Sequence, residues 1–164
     1  MSADLERRVR ALESQIAGLR SAGRPRYVFD TYTPTYRGLT TAGTTTYNVQ
    51  AGAYARINSI AFVWARVDWS NATGTGAGLL TLPFKARTIT NLGFAVNFYA
   101  EGLDFGGNYV VAFTSSATVS VSGVDVSYVR FVSLAATTGA ATSINVVAAA
   151  NVTVTVIMPL EDTA

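Results

Sequence analysis

Glu101 and Asp104, in the loop sequence AEGLDFGGN, with Asp68 and Asp125 elsewhere, are the residues best suited by type to acid–base chemistry. Paired carboxylates can cleave a glycosidic bond, one protonating the leaving oxygen while the other serves as base or nucleophile. The spacing of Glu101 and Asp104 sets no geometry across a cleft, and ten acids in the whole chain leave few alternatives. A solvated loop or interchain pairing is the ordinary reading of such acids, so no catalytic residue is assigned. The chain has no histidine, which removes the commonest general base, the commonest metal ligand and every His-containing triad. It has no cysteine, which removes disulfides and thiolate metal sites. No metal or other cofactor is expected. The run Gly74-Thr75-Gly76-Ala77-Gly78 looks superficially like a phosphate loop. It lies between two expected strands with no helix to supply N-terminal amides, and so reads as a hairpin.

The stock of stacking groups is larger: eight Tyr, eight Phe and two Trp. Sugar rings stack on exposed aromatics and hydrogen-bond to nearby Asn and Asp. Trp69 lies beside Asp68 and Asn71 at an expected strand end, and Tyr99 and Asp104 flank a long loop. Trp69, Tyr99 and Asp104 are therefore the candidate glycan contacts. A strand tryptophan more often belongs to a core or a subunit interface, and Trp64 is read that way.

The elements that must position these groups are strands. Alternation and turn clusters predict them at about 45–50, 53–57, 59–69, 78–82, 92–100, 108–114, 117–122, 126–134, 143–149 and 152–158. Leu92, Phe94, Val96 and Phe98 face one way; Val152, Val154, Val156 and Met158 repeat the pattern. Many short strands at such spacing predict an all-β, antiparallel sandwich or jelly-roll-like body. In 59–69, Ile60, Phe62 and Trp64 share one face while Ala61, Val63, Ala65 and Val67 share the other. Apolar residues on both faces predict a strand covered twice, by its own core and by a partner sheet or subunit.

The N-terminal segment is different. Leu5, Val9, Leu12, Ile16 and Leu19 step by 4, 3, 4, 3, with Val9 and Ile16 at heptad positions a and the leucines at d. This predicts a parallel coiled-coil stem over 1–22, ended by Gly23 and Pro25. A linker over 23–31 and a body over 32–164 complete the expected division. β-branched a residues with Leu at d favour two strands. Arg8-Val9-Arg10-Ala11-Leu12-Glu13, with Arg at g and Glu at e, resembles the R-h-x-x-h-E trimerisation pattern of short coiled coils. Arg8 would fork onto Glu13 of a neighbour, and a homotrimer is expected. A helix of about 27 Å is marginal alone, so the body should trimerise too. The competing reading is an amphipathic helix packed on its own domain. The narrow a/d stripe argues against it.

Charge follows the same division. Of twelve basic residues six are Arg up to Arg26, leaving six; of ten acids three lie there, leaving seven. The basic excess belongs to the stem, where Arg on the solvated flanks of a coiled coil is the ordinary reading. No nucleic-acid partner is expected. Residues 1–20 lack the apolar region of a signal peptide, and the apolar stretch near 144–159, broken by Asn145, Asn151, Thr153 and Thr155, is too polar for a transmembrane helix, so no membrane insertion is expected.

The run YTPTYRGLTTAGTTTYNVQAGAYARINSIAFVWARVDW, then GTG and LPF, resembles a module repeated among bacteriophage fibre and virion-appendage proteins. The pieces are Thr33-Pro34-Thr35, Gly43 followed by Tyr47, Gly52 with Tyr54, Arg56-Ile57 and Leu82-Pro83-Phe84. Tyr32 stands where Trp is common, and Asn58 where the turn usually has Gly; Asn tolerates the left-handed region. Beyond residue 85 no family pattern is found. The resemblance implies a homotrimeric virion protein of a phage tail or capsid, made in the host cytoplasm. Its N-terminal stem would bind another virion structural protein, and its body would attach to host-surface glycan. A trimeric capsid decoration or cement protein is the alternative, and a free-standing carbohydrate-binding module a further one.

Overall fold

The computed structural model describes residues 3–22, 27–88, 94–103, 109–135, 138 and 140–161. Helix α1 runs Ala3–Ala22, about 30 Å long. Asp4 and Glu6 lie in its first turn, where they complement the helix dipole. Asp4 also accepts a hydrogen bond from Arg7 at 2.7 Å.

Ten strands follow: β1 (Tyr27–Tyr32), β2 (Tyr36–Gly38), β3 (Thr46–Ile57), β4 (Ile60–Ser70), β5 (Gly78–Thr81), β6 (Phe94–Glu101), β7 (Tyr109–Val121), β8 (Val124–Leu134), β9 (Ala141–Ser143) and β10 (Ala150–Pro159). All pairings are antiparallel, in the order β1-β3-β4-β10-β6-β7-β8-β5-β2, with β9 on β8. The all-β expectation therefore holds. The sheet has two wings. One is β1-β3-β4-β10-β6; the other is β7-β8-β5-β2. Strand β6 joins them, pairing Phe94 with Thr114 and Ala95 with Phe113. In chain order the pairs nest: β6 with β7 inside β5 with β8, inside β4 with β10.

The core lies between the wings. Ala61, Val63, Ala65 and Val67 of β4 and Val152, Val154, Val156 and Met158 of β10 meet Leu80, Val129 and Phe131 of the other wing. Strict alternation in β4 and β10 makes this possible, since a period of two puts every second side chain on one face. Phe98 also reaches across, edge-on to Phe131 at 5.9 Å.

Several elements depart from the sequence reading, each for a physical reason. The segments 45–50 and 53–57 form one strand, β3, with a register shift between Tyr47 and Val49. Gly52 is not a break: the Tyr32 ring lies where its Cβ would stand. Likewise 108–114 and 117–122 form one strand, β7, irregular between Ser115 and Thr118. Part of the expected linker, 23–31, is strand: β1 pairs with β3 from Tyr27 onward. Strand structure near 143–149 is confined to Ala141–Ser143. The Gly74–Gly78 run is no hairpin. Strands β4 and β5 belong to different wings, and the run crosses between them, with Thr41 and Thr75 bridged.

The expected β3–β4 turn survives: Asn58 takes φ 53° between the paired Ile57 and Ile60. At the β7–β8 turn Ser122 has φ 51° and Gly123 φ 82°, the two left-handed residues of a type I′ hairpin. Serine pays for that conformation more than Asn or Gly does. Ser122→Asn should therefore raise unfolding stability by about 0.5 kcal/mol, read as a higher urea midpoint. An unchanged or lower midpoint contradicts the turn assignment.

Candidate functional site

Outside the helix, the outer face of the first wing holds most of the exposed large apolar side chains among the described residues. Directly paired residues of antiparallel strands share a face, so the register orders this face into rows. The first row is Tyr27, Ile57, Ile60 and Pro159. The second is Phe29, Ala55, Phe62 and Ile157. The third is Thr31, Ala53, Trp64, Thr155 and Asn97. The fourth is Ala51, Arg66, Thr153 and Tyr99, and the fifth is Asp68, Asn151 and Glu101. The rows run from apolar to polar over about 27 Å, eight residues of β4. The apolar rows lie at the end where the chain leaves the helix, since Tyr27 begins β1.

Exposure makes the apolar rows unusual. Phe29 is 60 % exposed, Ile157 55 % and Trp64 41 %, with Tyr27, Ile57 and Ile60 exposed beside them. Trp64, expected in a core or interface, thus stands on the open face of a single chain. It borders a hollow of about 280 Å³ floored by Ala51, Gly52 and Ala53. The described side chains of the helix are exposed as well. Every residue from Asp4 to Gln15 is exposed, including Leu5, Arg8, Val9, Leu12 and Glu13. Ile16 and Leu19 continue the seam in α1, but their side chains lie outside the described residues. The helix is therefore not packed on its own body through the Leu5–Leu12 stripe.

The three candidate glycan contacts separate. Asp104 lies outside the described residues. Tyr99 is exposed at the polar end of the outer face, and its hydroxyl donates to the Glu101 carboxylate. That acceptor is the main cause, with a smaller part from desolvation, of a Tyr99 pKa above its ordinary value.

Trp69 is corrected. It is 1 % exposed and stacks on Tyr36 of β2, with ring centroids 3.9 Å apart. Its indole Nε1 donates to the Val147 carbonyl at 3.1 Å, and the Val147 amide donates to the Tyr36 hydroxyl at 3.1 Å. The signal was present in the sequence: Trp69 continues the odd-numbered face of Ala61, Val63, Ala65 and Val67, which points into the core.

Of the candidate acids, Asp68 accepts from Asn48 Nδ2 at 2.9 Å, Glu101 faces solvent and Asp125 is exposed beside the Ser122 turn. Among the described residues no group of three His, Cys, Asp or Glu is placed to hold a metal. No described helix is long and apolar enough to cross a membrane.

Compared with known protein families, curated proteins and solved structures, the chain matches none.

Two outcomes follow from the Tyr36–Trp69 contact. Trp69→Ala should cost about 3–5 kcal/mol and Tyr36→Phe about 1 kcal/mol, measured by denaturant unfolding. A Trp69→Ala chain of unchanged stability would contradict the buried assignment. Burial also raises the pKa of Tyr32, Tyr36 and Tyr47, partly offset at Tyr36 by the bond from Val147. Raised folded pKa values give stability that is present below about pH 10 and lost as pH climbs beyond it. Absorbance titration should show these tyrosines ionising late, together with alkaline unfolding; ionisation of all eight near pH 10 would contradict it.

Proposed function

We propose that this chain is a structural virion protein: a homotrimeric fibre or spike on a phage tail or capsid, anchored through its N-terminal stem to another virion protein. The observation that carries the reading is the helix seam. Leu5, Val9 and Leu12 form a narrow apolar stripe that stands exposed in the single chain, and a short helix with such a stripe gains its stability from packing against other helices. The pattern from Arg8 to Glu13 favours three copies. The nested strand pairing supports reading the body as a jelly-roll-like sandwich.

Host attachment is assigned to the polar end of the outer face, away from the stem. Tyr99 offers an exposed ring, with Asn97, Asn151 and Glu101 on neighbouring positions of the same face. A ring with hydrogen-bonding groups around it suits a sugar. Glu101, bound to Tyr99 and open to water, acts as a hydrogen-bond acceptor rather than a catalytic acid. The protein works by binding, not by cleavage, and takes no cofactor.

Sedimentation equilibrium should give three times the 17.3 kDa chain mass; a dimer or monomer would sink the trimer. Purified protein should bind host cells, and Tyr99→Ala should weaken that binding at least about tenfold, a loss of about 1.4 kcal/mol, with folding unchanged. Binding to capsids with none to cells selects the decoration reading instead. Polysaccharide cleavage abolished by Glu101→Gln would overturn the binding-only role.

A further inference from the structure

We propose that the stem-proximal half of the outer face is a self-association surface, covered by other copies of this chain and continuous with the helix seam. The inference rests on the oligomer reading above and adds where the body contributes. Two independent observations meet here. One is the heptad stripe, which brings identical chains together in parallel. The other is the block of Phe29, Ile57, Ile60, Trp64 and Ile157, all exposed in the single chain. Monomeric proteins rarely leave so many neighbouring large apolar side chains in water.

The occupant is argued from connectivity. Only residues 23–26 separate the end of α1 from Tyr27, the first residue of the patch. Helices held in a bundle must carry their patches within a few residues' reach of one another, at high effective concentration. The relief is also suited to a copy. Phe29 and Ile157 are exposed, and beside Trp64, where the apolar rows meet the polar ones, lies a shallow hollow lined by Ala51, Gly52, Ala53 and Arg66. Knobs and hole are both carried by every copy, so in a threefold ring the knobs of each copy can meet the hollow of the next. The polar rows with Tyr99 lie at the other end and stay open.

The two tryptophans supply the test. Trp69 is buried in every chain, while Trp64 is exposed only if the patch is uncovered. Iodide quenching of the full-length protein is measured alongside its mass, with Trp64→Phe reporting the Trp69 signal alone. The expected result is an assembled protein whose Trp64 is shielded. Phe29→Glu combined with Ile157→Glu, both at exposed positions, should make Trp64 quenchable several-fold more steeply, whether or not the stem still holds the chains together. An assembled wild type with freely quenched Trp64 would overturn the surface and leave the oligomer reading standing. So would equal shielding in the folded double variant. A wild type of single-chain mass at every concentration would overturn both.

Discussion

The stack of Tyr36 on Trp69 is the contact on which this fold turns. Trp69 is the last residue but one of β4 in one wing and Tyr36 opens β2 at the far edge of the other. Two large rings at 3.9 Å exclude water between the wings, and their polar atoms are still served. The Trp69 indole and the Tyr36 hydroxyl both bind the Val147 backbone, and the Tyr47 hydroxyl bridges both main-chain groups of Tyr36. A buried polar group without a partner costs more than a hydrogen bond returns. The network is therefore what allows the rings to be buried together. Gly78 belongs to the same arrangement, because the Tyr36 hydroxyl occupies the space a Cβ would need.

With the wings clamped, one face of β4 is committed to the core and its other face is left over. The leftover face is graded, apolar near the stem and polar away from it. The grading places two kinds of contact on one sheet. Apolar rows suit protein, where area removed from water contributes about 25 cal/mol per Å². The Tyr99 end suits a hydrated ligand, where direction matters more than area.

Much of this was legible from residue order. Alternation in β4 and β10 identified the central strands, and the parity of Val63, Ala65 and Val67 already placed Trp69 inside. What stayed hidden has physical causes. Strand β1 is held by backbone pairing with β3 and buries little of its own side chains, so no hydrophobic pattern announced it. Strand β2 is three residues long and is fixed by one distant ring. Gly52 read as an interruption because its reason, the Tyr32 ring, lies on another strand. The candidate site was legible in kind but not in place. The double-sided apolar character of 59–69 signalled an apolar outer face, whereas nothing in its residue type distinguished Tyr99 from a core ring until pairing with β10 put it outside.

Strand β10 lies between β4 and β6, yet it follows the other nine described strands in chain order. During synthesis β4 can pair with β3, but the central ladder is absent until residues 150–159 emerge. Pairing across such long separations is slow to form. Helix α1, built from contacts local in sequence, precedes every described strand and has no such delay. If the proposed helix bundle forms, neighbouring nascent chains on one message are held together by their helices before any body has closed. Order of synthesis then favours partners drawn from the same polysome, with the sheet faces maturing inside an association already begun.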